Sequence, residues 1–270
     1  MKFRPINNRP DTAAFTMVEI AICLAIIGFA LVAIIGVLPI GMNTQRDNRE
    51  ETIINQDATV LLEAVRNGTH GANDLTNYVY AITNYWTSYV NGTPTLGKNG
   101  YTYTAAFVYG TPNPYYSITN GAHIIGLLST PEFTDLSFNP TNNLFSGGYS
   151  NHVVAYVRSL SGLAAEKPPQ NNAIMVADTF SYCIFCVNAP VPVDTNIFNL
   201  PLAQQQYVRQ LSVNLHELRM TFLWPLLPNG QLPPRPTRQT FRATIAGQLL
   251  PDRNNNNLYF YQSQSFTNAP

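Results

Sequence analysis

One apolar stretch limits what this chain can fold into. From Ile20 to Met42 the sequence reads IAICLAIIGFALVAIIGVLPIGM, and the thiol of Cys23 is its only ionisable side chain. As a helix the stretch would be about 35 Å long, which exceeds the hydrocarbon core of a bilayer, about 30 Å. No second stretch of this length occurs. The sequence therefore predicts one membrane-spanning helix over residues 20–42; the alternative is a buried helix of a soluble core.

The residues on either side of the stretch indicate its orientation. Residues 1–14, which precede it, contain three basic residues and one acidic residue: Lys2, Arg4, Arg9 and Asp11. Two basic and three acidic residues follow it: Arg46, Arg49, Asp47, Glu50 and Glu51. The positive-inside rule then places the N-terminus in the cytoplasm and the residues after Met42 outside it. A cleavable secretory signal has its small-residue cleavage site after the apolar core, whereas Ala13 and Ala14 precede the core here.

Residues 14–19 read A-F-T-M-V-E and lead directly into the apolar stretch. A short basic leader, a small residue, Phe, and Glu five positions into the remaining chain together resemble the N-terminal signature of type IV prepilins and type II secretion pseudopilins. The resemblance covers about residues 1–67. It implies that a prepilin peptidase cuts between Ala14 and Phe15 and that Phe15 is then N-methylated. The family's usual residue before the cut is Gly, and Ala14 stands in its place.

Glu19 is the acidic residue that this resemblance singles out. A carboxylate beside hydrocarbon is costly, about 2.5–3.5 kcal/mol for Asp at the centre of a helix and less near the interface, so such a residue normally has a partner. The resemblance implies that the partner is the α-amine of Phe15 in a neighbouring subunit, which gives Glu19 a role in assembly. The alternative is that Glu19 lies among lipid headgroups.

The resemblance also implies a function and a set of partners. We expect a pilin-like filament subunit, of the minor or pseudopilin type, in type II secretion or a related system. Its partners would be the prepilin peptidase, other pilin or pseudopilin subunits, an inner-membrane assembly platform and the lipid bilayer. The protein would be a single-pass inner-membrane protein with a periplasmic head, or an extracellular head in the filament. The alternative function is a pilus-associated binding subunit, an adhesin or a DNA-uptake protein.

Helical periodicity continues beyond the apolar stretch. Apolar residues recur three or four positions apart at Ile53 or Ile54, Ala58, Leu61, and Ala64 with Val65. Gly68 is a suitable stop. These features predict one helix over 15–67 between a leader, 1–14, and a head, 68–270; the alternative is two helices broken between Pro39 and Asn43. Pro39 predicts a kink, or it is an ordinary tolerated transmembrane proline.

The head is predicted to be α+β, with a mainly antiparallel sheet packed on the long helix. An aromatic stripe at helical spacing predicts a second helix over 74–90, and a short helix is expected around 122–128. Segments rich in aromatic and β-branched residues predict strands at 101–109, 152–158, 180–187, 215–224, 237–245 and 258–266. Stretches rich in Pro or Asn predict loops at 188–201, 225–236 and 254–257.

The head shows no recognisable catalytic motif, and we expect neither enzymatic activity nor a cofactor. Cys183 and Cys186 would point to opposite faces of a strand, which favours two buried thiols; a disulfide is the alternative if a bulge or turn brings them together. No second cysteine pair or suitably spaced histidine pair completes a zinc site, so we expect no metal there. Lone acids such as Asp252 are candidate calcium ligands, with neutral Asn-rich turns as the alternative.

The charge composition bears on nucleic-acid binding. Charged residues make up 11% of the chain, where about 25% is usual, and 15 Lys+Arg balance 15 Asp+Glu. No overall positive field exists to bind phosphates, so we do not expect a nucleic-acid partner. A local cluster of arginines is a candidate site for an anionic partner, with scattered solvated side chains as the alternative: Arg235, Arg238, Arg242 and Arg253.

Overall fold

The computed structural model describes ten ranges of the chain: 15–68, 73–91, 93–95, 99–105, 117–139, 144–161, 180–191, 199–227, 229–253 and 258–262. The chain divides into two compact units, Met1–Glu51 and Thr52–Pro270. The first unit contains the start of helix α1. The second contains the end of α1 and all of the strands.

Helix α1 runs without interruption from Met17 to Asn67 and contains Pro39. The prediction of one long helix is confirmed, and the helix is not broken between Pro39 and Asn43. It ends at Gly68, whose φ of +56° suits glycine. A Cβ at Gly68 would lie 2.8 Å from the carbonyl oxygen of Tyr261, so close packing also requires glycine there.

The second unit is built on an antiparallel sheet. Its strands are β1 (Val79–Val90), β2 (Thr93–Pro94), β3 (Asn99–Ala105), β4 (Ser117–Ile118), β5 (Phe133–Asn139), β6 (Leu144–Arg158), β7 (Ser181–Pro190), β8 (Leu215–Trp224) and β9 (Thr237–Ala246). Among the described residues the order is β4-β3-β1-β6-β7-β8-β9, with β2 paired to β1 and β5 paired to β6. The pairing is antiparallel except between β3 and β4. Strands β10 (Gln248–Pro251) and β11 (Tyr259–Gln262) form a separate hairpin.

Two further helices complete the second unit: α2 (Gly121–Leu128) and α3 (Leu202–Asn214). Asn120 caps α2, because its side chain accepts a hydrogen bond from the backbone N–H of His123 at 2.7 Å. The short helix expected at 122–128 is therefore confirmed. Helix α3 was not predicted from the sequence. It has no buried residue, and its sequence therefore lacks the apolar stripe by which a helix is recognised.

The prediction of a helix over 74–90 is wrong. A short 3₁₀ helix, Asn73–Asn77, is followed by strand β1. The segment 79–90 is dense in Val, Ile, Thr, Tyr and Trp, which favour a pleated strand. Pairing on both sides, with β3 and with β6, then decides in favour of the strand.

The other predicted strands are found with shifted ends. β8 has the predicted bounds, and β9 extends one residue further than predicted. β6 begins earlier than predicted, and β7 includes Asn188–Pro190, which had been assigned to a loop. Segment 225–236 contains no helix or strand among its described residues, as predicted. Residues 106–109 and 263–266 of the predicted strands, and the predicted loop 254–257, lie outside the described ranges.

One face of the sheet forms the core with α1 and α2. Directly opposite residues on four neighbouring strands form a buried row across this face: Ile82, Ala155, Ile184 and Phe222. Helix α1 contributes Ile54, Ala58, Leu61 and Val65 to the same cluster, one residue from each turn. The coarse prediction of an α+β fold with a long N-terminal helix and a mainly antiparallel sheet is confirmed.

A buried carboxylate fixes the end of α1 to the sheet. Asp57 is fully buried, and its two oxygens accept hydrogen bonds from the backbone N–H groups of Leu160 (2.9 Å) and Ser161 (3.0 Å). The hydroxyl of Tyr182 on β7 donates a third, at 2.8 Å. Burial raises the pKa of Asp57, and the three hydrogen bonds oppose that shift. Helix α1 is therefore joined to the sheet by a directional polar contact within an apolar cluster.

We predict that Asp57→Ala destabilises the second unit. Three buried donors lose their acceptor, which should lower the free energy of unfolding by about 2–4 kcal/mol. Urea unfolding of the full chain in phospholipid nanodiscs, followed by the fluorescence of the buried Trp224, measures this. Glu63→Ala is the matched control on the same helix, since Glu63 is exposed, and it should change stability by less than about 0.5 kcal/mol. Equal effects of the two variants would contradict the anchoring role.

The same carboxylate predicts a pH dependence. Because folding raises the pKa of Asp57 above its ordinary 3.8, the folded state binds the proton more tightly than the unfolded state. This contribution to stability is complete at low pH and is lost as the pH rises through the raised pKa. Urea unfolding at a series of pH values should show this component in the wild type and lack it in Asp57→Asn. An identical pH profile for the two proteins would contradict the prediction.

Candidate functional site

The first unit exposes a continuous apolar surface. Every residue from Phe15 to Arg49 is exposed, including the whole of the Ile20–Met42 stretch. Among the described residues, α1 is the one helix long and apolar enough to cross a membrane. Soluble proteins rarely expose an apolar patch of more than a few hundred Å². This part of α1 is therefore a candidate membrane span.

The start of α1 is a capping box built from Thr16 and Glu19. The backbone N–H and the hydroxyl of Thr16 both donate to Oε2 of Glu19 at 2.9 Å. The backbone N–H of Glu19 donates in return to Oγ1 of Thr16 at 3.3 Å. This is the reciprocal pattern of an N-cap residue and the third residue of a helix. Thr16 was not singled out from the sequence, although the T-x-x-E spacing is a recognised sign of this motif.

The capping box gives Glu19 a defined position at the edge of the apolar surface. Both hydrogen bonds from Thr16 use Oε2, and Glu19 is exposed, so its other carboxylate oxygen can accept a bond from a cation or amine. The partial positive charge of the helix N-terminus favours the carboxylate form. Phe15 is exposed two residues before the helix, and Ala14 lies outside the described residues. Of the two residues at the predicted cleavage site, the structure therefore describes Phe15 but not Ala14.

Cys183 and Cys186 are free, buried thiols on β7. Cys186 belongs to the core cluster with Ile184, whereas Cys183 lies on the other face of the sheet, since residues three apart in a strand point to opposite sides. The pairing of β7 with β6 and β8 is regular at these residues, so no bulge turns the thiols toward each other. The strand geometry thus favours the prediction of two buried thiols over the alternative of a disulfide.

The remaining candidate residues from the sequence do not converge. His123, His152 and His216 lie on α2, β6 and β8, and His70 is outside the described residues. The described part of the chain contains no group of three or more His, Cys, Asp or Glu placed to hold a metal ion. Burial lowers the pKa of both His123 and His216, which favours neutral rings packed edge-on against tyrosines.

Within the predicted arginine cluster, Arg242 lies beside an acidic residue. Its Nε is 3.8 Å from Oε1 of Glu217, and Nε of Arg219 is 3.7 Å from the same oxygen. Arg235, Arg238 and Arg253 are exposed. Part of the positive charge is therefore balanced locally by Glu217.

The comparisons with protein-family models, curated proteins and solved structures give no match.

We predict that both thiols of β7 are reduced and unreactive in the native protein. Burial raises the pKa of Cys183 to about 11 and that of Cys186 to about 12, which leaves little thiolate at neutral pH. In the full-length Cys23→Ala variant, maleimide labelling should be at least about a hundredfold slower than for an exposed cysteine. After denaturation without reductant, two thiols per chain should react. Labelling that requires a reductant would contradict the assignment.

Proposed function

We propose that this protein is a pilin-like filament subunit, of the minor or pseudopilin type, in type II secretion or a related system. The observation that carries the proposal is the combination found in the first unit. A carboxylate is held at the first turn of a helix, and an exposed apolar surface follows it directly. A subunit stored in a bilayer and later packed among other helices needs such a surface, because both environments are apolar.

In the proposed mechanism, the prepilin peptidase hydrolyses the peptide bond between Ala14 and Phe15 on the cytoplasmic side of the inner membrane. This releases the leader and gives Phe15 a free α-amine, which is then methylated. The 20–42 stretch keeps the subunit in the bilayer until the assembly platform transfers it to the filament. The second unit lies outside the cytoplasm throughout.

Glu19 directs docking in this mechanism. Removing a carboxylate from water into an apolar helix bundle is costly unless a cation pairs with it. The α-amine of Phe15 in a neighbouring subunit supplies that cation. Thr16 holds Oε2 of Glu19, and Oε1 is left for the incoming amine. The capping box therefore orients the carboxylate before the neighbour arrives.

The second unit supports a role in assembly and recognition. Its described residues carry no group of side chains arranged for metal binding, and we propose no enzymatic activity. The Asp57 contact makes the end of α1 part of the second unit, so a subunit that docks through α1 carries that unit with it. The alternative function, a pilus-associated binding subunit, uses the same assembly step.

Replacement of Glu19 tests the proposal. Glu19→Ala should leave membrane insertion intact but block incorporation into filaments, because the apolar bundle lacks its ion pair. Carbonate extraction of membranes measures insertion, and the sheared filament fraction measures incorporation. Glu51→Ala is the control, since Glu51 is an exposed acid on the same helix beyond the apolar stretch, and it should assemble normally.

A third variant separates charge pairing from helix capping. Glu19→Gln removes the charge but keeps a side-chain acceptor that completes a capping box. It should fail to assemble as Glu19→Ala does. Normal incorporation of Glu19→Ala would contradict the filament proposal. Normal incorporation of Glu19→Gln alone would contradict the ion pair and leave capping as the role of Glu19.

A further inference from the structure

A groove lies on the face of the sheet that points away from the core. Its floor consists of three cross-strand pairs: Tyr85 with His152, Val154 with Phe185, and Tyr156 with Cys183. Residues 230–232, between β8 and β9, form one wall. The volume of the groove is about 580 Å³. Small-molecule sites typically measure about 300–1,000 Å³, so the groove has the size of a ligand site.

The wall is held in place by backbone hydrogen bonds. The N–H of Leu226 donates to the carbonyl oxygen of Ser181 on β7 at 2.9 Å, which ties the segment to the sheet. A turn then forms as Leu227 N–H donates to Gln231 O at 2.9 Å and Gly230 N–H to Leu227 O at 2.8 Å. Gly230 adopts a φ of +76°, which favours glycine. The groove is thus formed before any ligand binds.

Two exposed aromatic rings stand on opposite sides of strand β6. Tyr85 on β1 is 42% exposed and Phe185 on β7 is 40% exposed. Strands two places apart in a sheet are separated by about 10 Å, so the two rings flank β6, with Tyr85 beside His152 and Phe185 beside Val154. A third ring, Tyr156, is held against Tyr80 with ring centroids 6.0 Å apart. Exposed rings fixed on a strand are suitable surfaces for stacking a flat or puckered ring.

The described residues that line the groove include no Lys, Arg, Asp or Glu. Their polar groups are hydroxyls, an imidazole, an amide and a thiol. Burial raises the pKa of Cys183 to about 11, which keeps that thiol neutral. Charged residues of the same sheet face lie outside the groove lining: Glu217, Arg219, Arg238 and Arg242 on β8 and β9, and Arg158 on β6. Glu217 lies within 4 Å of Arg219 and Arg242. The groove therefore presents apolar rings and polar hydrogen-bonding groups to a ligand.

We propose that this groove binds a neutral saccharide. A hexose ring has an apolar C–H face, which suits Tyr85 and Phe185, and an edge of hydroxyl groups. Thr87, His152 and Gln231 supply hydrogen-bond donors and acceptors for that edge. Single-stranded nucleic acid also stacks on aromatic side chains, but its phosphates require a positively charged lining. A purely apolar ligand would leave the polar edge of the groove unpaired. This inference goes beyond the filament proposal and does not depend on it.

The test is direct binding to the full chain in phosphatidylcholine nanodiscs, since glycoside detergents would compete. The probes are four neutral disaccharides: maltose, cellobiose, lactose and diacetylchitobiose. Saturation-transfer NMR and calorimetry should detect binding of at least one of them. Its affinity should change little between about 50 and 200 mM salt, because no ion pair contributes. Absence of binding by all four would overturn the proposal.

Variants locate the binding. Tyr85→Ala and Phe185→Ala should each weaken the affinity at least about tenfold, because each removes a stacking ring. Phe185→Leu keeps the apolar volume of the side chain, so a similar loss in that variant identifies the ring itself and not a folding defect. Tyr207→Ala is the control: Tyr207 is a 61% exposed aromatic residue on α3, outside the groove, and its loss should have no effect.

Two acidic probes complete the experiment: a sulfated disaccharide from heparin and a short oligothymidylate. Weaker binding of both than of the neutral disaccharide supports the assignment. Preferential, salt-sensitive binding of either one would overturn it in favour of an anionic ligand. Unchanged disaccharide affinity in the Tyr85 and Phe185 variants would overturn the location. None of these results bears on whether Glu19 directs assembly, so the two proposals can fail separately.

Discussion

The exposed apolar stretch of residues 20–42 is the constraint on which the account of this protein depends. Its apolar side chains are exposed in the structure, and water is an unfavourable surrounding for them. A bilayer or a bundle of similar helices would remove these side chains from water. A subunit that moves from the bilayer into such a bundle would keep them in apolar surroundings throughout. In both environments a charged group must be positioned and paired, and for this reason we propose a role in assembly for the capped carboxylate of Glu19 at the start of this surface.

Helix α1 serves two different environments along its length. Beyond Glu51 the same helix becomes part of a folded unit, in which Ile54, Ala58, Leu61 and Val65 face the sheet. Apolar packing alone does not determine how far a helix slides along a sheet. The three hydrogen bonds to Asp57 add that directional control, because they are satisfied in one register. The Asp57 substitutions tested above address this link separately from filament assembly.

Much of the fold followed from local patterns, and the exceptions have physical reasons. The long helix and strand β8 were predicted because their periodicities extend over many residues and their ends carry clear signals. Segment 79–90 was misassigned because its aromatic residues recur at helical spacing, while pairing with β3 and β6 decides its structure. Thr16 could have been found from its spacing to Glu19. The groove could not, since Tyr85, His152, Phe185 and Gln231 become neighbours only through the strand order.

The central claim is that the chain is processed as a prepilin, and the mature N-terminus tests it most directly. Mass spectrometry of protein isolated from the membrane of a cell that contains a prepilin peptidase identifies the first residue and any modification on it. The account predicts a chain that begins with N-methylated Phe15, the leader through Ala14 having been removed. An intact Met1, or a chain that begins after Met42, would contradict it.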